Sequence, residues 1–134
     1  MIVLDTHALV WWVNGDDRLS AHARELIEQT IASAGQRVLV SAISAWEIAI
    51  KHALGKLPVA PRDFRDELAA AGVAILSIAD SHALATSDLP PGHKDPFDRL
   101  LLATAQCEGM QLVTADAALL RYAADYPGLP VRQI

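Results

Sequence analysis

Ile2-Val3-Leu4-Asp5-Thr6-His7-Ala8-Leu9-Val10-Trp11-Trp12-Val13 opens with an apolar run, then a single acid, then a second apolar segment of different periodicity. The run Ile2-Val3-Leu4 has no alternating polar residue, which predicts a strand buried on both faces. Asp5 ends it. Thr6 to Val13 predicts a short helix, closed by the turn signal Asn14-Gly15-Asp16-Asp17. At such a junction an aspartate can serve as the N-cap of the following helix. An acid at the carboxyl end of a buried strand is also where open α/β sheets place their sites.

The same alternation repeats along the chain. Ser20 is read as the N-cap of a helix to about Ala34, with Gly35 as its stop. Val38-Leu39-Val40 is a second buried strand. Ser41 or Ser44 then opens a helix through about Leu54, closed by Gly55. Pro58 and Pro61 mark a loop, Asp63 to Ala71 is helical, and Val73 to Leu76 is a strand. Asp80 to Thr86 forms a short helix and Pro90-Pro91-Gly92 an irregular connection. Pro96 starts a strong helix that ends near Gly109. Leu112-Val113 is a strand, Ala115 to Tyr122 is helical, and Val131 to Ile134 forms an edge strand. Short apolar strands alternating with helices predict a central parallel sheet flanked by helices on both faces.

Composition bounds the rest. The 134 residues suit one domain over residues 1–134, and 52% hydrophobic residues supply one core without disulfide or zinc staples. Cys107 is the single cysteine, so neither an internal disulfide nor a cysteine zinc site is available. No basic leader precedes an apolar run, and no apolar run approaches the roughly 20 residues that span a bilayer. The expectation is a soluble, cytoplasmic protein with no membrane association. A net charge of -5 argues against a protein that grips nucleic acid by charge alone. It permits one that meets phosphates through metal ions held on carboxylates.

Four acids stand in unusual places. Ile43, Glu47, Ile50 and Leu54 follow one helical stripe, and three of them are large aliphatics. A glutamate in that row must be paired, protonated or bound to metal; the plainer alternative puts it at the stripe's edge beside a Lys or Arg. Asp98 shares a side with Leu101, Leu102 and Ala105 on a helix that is apolar nearly all round. Asp95, Pro96 and Asp98 also suit the N-cap, N1 and N3 positions. Asp116 follows the strand Leu112-Val113 and competes with Thr114 as a cap. Each acid alone has a structural explanation. Gathered together they would repel: two charges about 5 Å apart cost roughly 3 kcal/mol at an effective dielectric of about 20. A compensating cation relieves this, and all-oxygen ligands select Mg²⁺ or Mn²⁺. Such a site activates water at a phosphoryl centre.

Four stretches carry a resemblance: Val3 to Trp12, Ser41-Ala42-Ile43-Ser44-Ala45-Trp46-Glu47-Ile48-Ala49-Ile50-Lys51, His93-Lys94-Asp95-Pro96-Phe97-Asp98-Arg99-Leu100-Leu101-Leu102-Ala103-Thr104-Ala105, and Leu112-Val113-Thr114-Ala115-Asp116. In order and spacing they span nearly the whole chain, and together they resemble the PIN-domain family, in particular VapC-type toxins of bacterial toxin–antitoxin pairs. The resemblance implies a PIN fold acting as a Mg²⁺- or Mn²⁺-dependent endoribonuclease on RNA. It puts the family's four acids on Asp5, Glu47, Asp98 and Asp116 as catalytic, metal-holding residues. It also implies a homodimer, and a cognate antitoxin whose C-terminal segment occupies the site. Asp95 lies within a family-like stretch, so its part beyond capping stays open.

The remaining residues rank lower. Trp11, Trp12 and Trp46 are read as core or dimer contacts before base-stacking platforms. His7 and His93 are surface or supporting residues before acid–base catalysts. Lys51, Lys56, Lys94 and Arg99 are candidate phosphate contacts, although a solvated face explains them equally. A receiver-like Mg²⁺-binding module needs paired acids after the first strand and a lysine after the last, and Asp5-Thr6 followed by no lysine beyond Lys94 fits it poorly. A phosphatase with an Asp-x-Asp nucleophile lacks its second acid at His7. A fold that keeps its antitoxin but not its activity is a third alternative.

Overall fold

The computed structural model describes residues 1–58 and 60–134. Five strands, β1 (Ile2–Leu4), β2 (Val38–Ser41), β3 (Ala74–Leu76), β4 (Gln111–Thr114) and β5 (Val131–Gln133), form one sheet in the order β3-β2-β1-β4-β5. Every pairing is parallel, with Val3 opposite Leu39 on one side and Leu112 on the other. Among the described residues seven α-helices connect or follow the strands: α1 (Thr6–Val13), α2 (Ala21–Ala32), α3 (Ala42–Ala53), α4 (Pro61–Ala70), α5 (Asp80–Ala85), α6 (Pro96–Cys107) and α7 (Ala117–Asp125). This is the parallel sheet with helices that the alternating pattern predicts.

The period-2 geometry of strands explains why the central runs are apolar throughout. Ile2 and Leu4 join Val38, Val40 and Val113 in a core with Leu9, Ile27, Ile48 and Leu68. Val3, Leu39 and Leu112 point the other way, into a second core with Leu101, Leu102 and Leu119. Both faces of β1 are therefore dry, and Val3 and Leu4 have no exposure at all.

The strand order places the site. The chain moves outward from β1 through β2 to β3, then returns to the other side of β1 for β4 and β5. The order reverses between β1 and β4, and in parallel α/β sheets that switch point opens a crevice beyond the strand ends. Asp5 follows β1 and Asp116 follows β4, so both acids stand at its rim.

Several boundaries differ from the sequence expectations. Pro61 is the first residue of α4, not loop, because its fixed φ and missing N–H suit position N1; the stretch between Pro58 and Pro61 includes Val59, which lies outside the described residues. Helix α7 begins at Ala117, two residues later than expected, because Asp116 takes the N-cap. Ser41, not Ser44, caps α3. No helix among the described residues is long and apolar enough to cross a membrane.

Candidate active site

Two of the four acids, Asp5 and Asp116, are helix N-caps, and a further cap, Asp95, starts the helix that carries Asp98. Asp5 accepts the Ala8 N–H of α1 at 2.7 Å. Asp116 accepts the Leu119 N–H of α7 at 2.8 Å. Asp95 accepts the Phe97 and Asp98 N–H groups at the start of α6, which leaves Asp98 at N3 free to face away from the helix end. A carboxylate beside unpaired N–H groups at a helix N-terminus is favourable by itself. Capping and the proposed chemistry therefore use the same placement.

Asp5 is the most enclosed, at 3% exposure. Its second oxygen accepts a hydrogen bond from the Thr114 hydroxyl, and the Thr114 oxygen in turn accepts the Asp116 N–H at 3.0 Å. One hydroxyl at the end of β4 thus connects two acids 111 positions apart by way of a single residue. Burial raises the Asp5 carboxyl above the ordinary range. The Thr114 and Ala8 hydrogen bonds and His7 oppose the rise, and the charge of Asp116 adds to it.

Asp98 is partly enclosed, with its side chain 23% exposed. Burial pushes its carboxyl up to about 6. The hydrogen bond with His93 opposes that, while the charges of Asp95 and Asp116 reinforce it. His93 is held in turn by a pinned loop. Arg99 donates to the carbonyls of Thr86, Leu89, Pro90 and His93. The Tyr122 hydroxyl donates to the Pro90 carbonyl at 2.5 Å, and the Tyr122 ring lies 5.5 Å from that of His93. Gly92 adopts φ +123° in this turn, with the Tyr122 ring 3.5 Å from where a Cβ would stand. Arg99 is thereby committed to backbone carbonyls and is not free for phosphate, as the sequence had allowed.

Glu47 stands apart. The buried side of α3 carries Ile43, Ser44 and Ile48, while Leu54, expected in the buried stripe, caps the helix end with 63% exposure. Glu47 therefore lies at the edge of the packed side, 13% exposed, with the Lys51 ammonium 3.1 Å away. This is the paired arrangement the sequence offered as the plainer alternative. The true inward row runs through Ser44, whose hydroxyl accepts from Thr6 Oγ1 at 3.0 Å. A small serine on the inward face is a weak hydropathy signal, so the stripe was read one position off.

The structure thus brings Asp5, Asp98 and Asp116 within electrostatic reach, since the Asp116 charge acts on both others. Glu47 lies on α3, which packs on α6, and the neighbouring Trp46 lies 5.4 Å from Phe97, beside Asp98. Among the described residues no three of His, Cys, Asp and Glu are disposed around one point as a finished metal centre. The donor set itself, all carboxylate oxygen, is the one that hard divalent cations take. Asp5 and Asp98, both pushed above the usual carboxylate range, would be relieved by a cation. By the chemistry of the donor set, carboxylates such as Asp5, Asp98 and Asp116 suit Mg²⁺ or Mn²⁺; Asp98 is now engaged by His93 and Glu47 by Lys51.

Sequence reasoning missed two polar partners. His82 is 2% exposed and pairs with Glu108 at 2.7 Å, joining α5 to α6. Thr114 was read only as a rival cap, because a threonine ending a strand gives no sign of its partner across the sheet. Among the tryptophans, Trp11 and Trp12 pack against the core, whereas Trp46 is 59% exposed.

The PIN domain family model matches residues 2–125. The chain is 34% identical over 123 residues to Ribonuclease VapC22 of Mycobacterium tuberculosis (strain ATCC 25618 / H37Rv), covering 88% of each protein. Its fold is similar to a chain of DNA-bound VapBC from Salmonella typhimurium, with TM-score 0.67, 19% identity, and 99% and 98% of the two chains covered. It is similar as well to one of VapBC2 from Rickettsia felis bound to a promoter DNA fragment, with TM-score 0.64, 18% identity, and 99% and 98% covered. With the matched residues running from β1 through α7, the chain belongs to the PIN domain family.

Proposed function

We propose that this chain is a divalent-metal-dependent endoribonuclease, the toxin component of a toxin–antitoxin pair, and that Asp5, Glu47, Asp98 and Asp116 form its active site. The observation that supports it most is that the Asp116 charge bears on both Asp5 and Asp98 at the switch point of a PIN-family sheet. Burying carboxylates that feel one another's charge is costly, and a cation or a cationic ligand would relieve it. Similarity to a protein named as a ribonuclease supports RNA as the substrate.

Mg²⁺ or Mn²⁺ bound to these carboxylates would supply Lewis acidity at a phosphoryl oxygen and a more acidic water. The chain's own residues do the rest. Asp5 is fixed by Ala8 and Thr114, so its carboxylate is oriented before any ligand arrives. His93, 2.8 Å from Asp98, holds that carboxylate and can exchange a proton with it. Lys51 pairs with Glu47 at 3.1 Å and neutralises it, and Glu47 would be one of the carboxylates to hold the cation. A cognate antitoxin and a homodimer complete the proposal; folds similar to this one occur in complexes named VapBC and toxin–antitoxin.

The test is cleavage of a single-stranded RNA by the purified chain with Mg²⁺ or Mn²⁺, with chelator, and by Asp5→Asn and Asp98→Asn. Each substitution keeps size and shape and is expected to lower turnover at least about 100-fold. Comparable activity in both variants would remove the catalytic assignment. A specific observation keeps one alternative in view: the Glu47–Lys51 pair already places a cation on one acid. Such self-neutralisation suits a PIN fold that binds its antitoxin without cutting RNA, and metal-replete protein with no cleavage of any RNA would select that reading.

A further inference from the structure

Cationic side chains are in the minority in this chain, with 11 Lys and Arg against 16 Asp and Glu. Three of them meet at one place. A cavity of about 290 Å³ beside α1 and the end of α3 is lined by Arg18, Lys51 and Lys56 together with His7, Thr6 and Trp11, and no carboxylate among the described residues lines it. We propose that this cavity binds a phosphate of single-stranded RNA other than the phosphodiester that is cut, so that it fixes where the strand lies across the acids. The inference rests on the nuclease reading and adds a subsite to it.

The position favours this use. Thr6 follows Asp5 directly, and Lys51, in the cavity lining, lies 3.1 Å from Glu47. One side chain therefore spans from the cavity to a proposed active-site acid. The repulsion an acidic protein offers to RNA must be offset somewhere near the site, and neutralising phosphates is the main source of nucleic-acid affinity.

The cations are graded. Arg18 bonds Asp16 with its guanidinium at 2.7 Å and lies 5.3 Å over the Trp11 ring. Lys51 is shared with Glu47. Lys56 has no carboxylate partner among the described residues and is exposed. Lys56 is accordingly the side chain most available to a new anion, with Arg18 held nearby in a fixed pose. Because Arg18 already covers a face of Trp11, that ring supports the guanidinium and is not an open platform for a base. The chemistry selected is phosphate, recognised by charge and without base preference.

The experiment uses the full chain with a short, fluorophore-labelled single-stranded RNA in chelator, which withholds the cation that hydrolysis needs, and reads binding by fluorescence anisotropy over a salt series. Cleavage of the same RNA with Mg²⁺ or Mn²⁺ is followed in parallel. Lys56→Ala is expected to weaken binding several-fold, to raise KM without changing kcat, and to reduce the slope of log Kd against log salt by about 0.7, the value for one phosphate contact on a single strand. Arg18→Ala should act in the same direction and Lys56→Arg should restore binding. Arg132→Ala, which removes one exposed cation from edge strand β5, should change none of these. If wild type cleaves RNA but Lys56→Ala behaves like Arg132→Ala, the subsite is wrong and the nuclease reading stands. If Lys56→Ala loses affinity for an acidic segment of the antitoxin and none for RNA, the cavity belongs to the protein partner and the proposal falls. A wild type that neither binds nor cleaves RNA overturns both.

Discussion

His93 Nε2 lies 2.8 Å from Asp98 Oδ2, on the loop that leads into α6. The pair sits between opposing influences: burial and the charges of Asp95 and Asp116 favour the neutral acid, while His93 favours the carboxylate. Burial wins.

A pH dependence follows for the cation-free protein. Asp98 releases its proton near 3.8 in the unfolded chain and at about 6 in the folded one. Between those values the folded state holds the extra proton, so the stability this group contributes is present in acid and is lost as pH rises to about 6. With a discount for its partial exposure, the loss is about 1 to 2 kcal/mol. Asp5, also raised, works in the same direction. Urea unfolding in chelator across this range should show wild type losing stability relative to Asp98→Asn as pH rises. A constant difference between the two proteins would mean that Asp98 titrates normally.

Divalent cations should reverse that loss. A ligand that binds only the native state adds about 2.7 kcal/mol at 100 times its Kd. Wild-type melting temperature is therefore expected to climb with Mg²⁺ or Mn²⁺ near neutral pH. Glu47→Gln should climb less, because it offers a weaker oxygen donor. The basal melting temperature of that variant should change little, since the Glu47–Lys51 pair is an i,i+4 pair worth a few tenths of a kcal/mol. A melting temperature indifferent to millimolar cation in wild type counts against the metal.

How the site could be read in advance varied with the kind of signal. The strand-end position of Asp5 was legible because a buried strand is written as a continuous apolar run, and Asp116 lies just past a second such run, Leu112-Val113. Asp98 was legible because Leu101, Leu102 and Ala105 mark an enclosed helix, and all three are buried. Glu47 was placed on the wrong row: the inward face of α3 includes Ser44, whose partner Thr6 lies 38 residues earlier. Hydropathy periodicity cannot see a buried hydroxyl pair. The Thr114 bond to Asp5 and the His82–Glu108 pair escaped for the same reason, since partners 109 and 26 residues distant are known only once the sheet and helices are assembled. Pro61 was taken for a loop because its role at N1 depends on the residues that follow.

Thr114→Val tests the buried link between the two strand-end acids. Valine keeps the shape and removes the hydroxyl, leaving Asp5 Oδ2 without its donor and the Asp116 N–H without its acceptor. A buried polar group deprived of its partner costs about 1 to 3 kcal/mol. RNA cleavage should fall as well, because Asp5 loses one of the two bonds that aim it. Thr114→Ser should recover most of both. If valine is tolerated with full stability and activity, Asp5 is oriented by its capping bond to Ala8 alone.

The partner of this site is expected to carry arginine. An antitoxin that silences the nuclease must neutralise the acids that otherwise hold a cation, and a guanidinium pairs with carboxylates through a planar fork while staying charged when partly desolvated. Lysine would compete less well, because Lys51 already shows what a single ammonium does here: it engages one acid, Glu47, and leaves the other three. The net charge of -5 favours encounter with a basic segment over naked RNA. Affinity should then fall with added salt, and Asp98→Asn should loosen the complex by removing one arm of the recognition. Added Mg²⁺ or Mn²⁺ should compete with the segment in wild type and less so in Asp98→Asn. Co-expression with a candidate antitoxin, followed by titration of the purified partners at several salt and metal concentrations, measures all three. An affinity unmoved by Asp98→Asn and by metal would show that the antitoxin inhibits from another face, and would leave the carboxylates to the metal and the RNA.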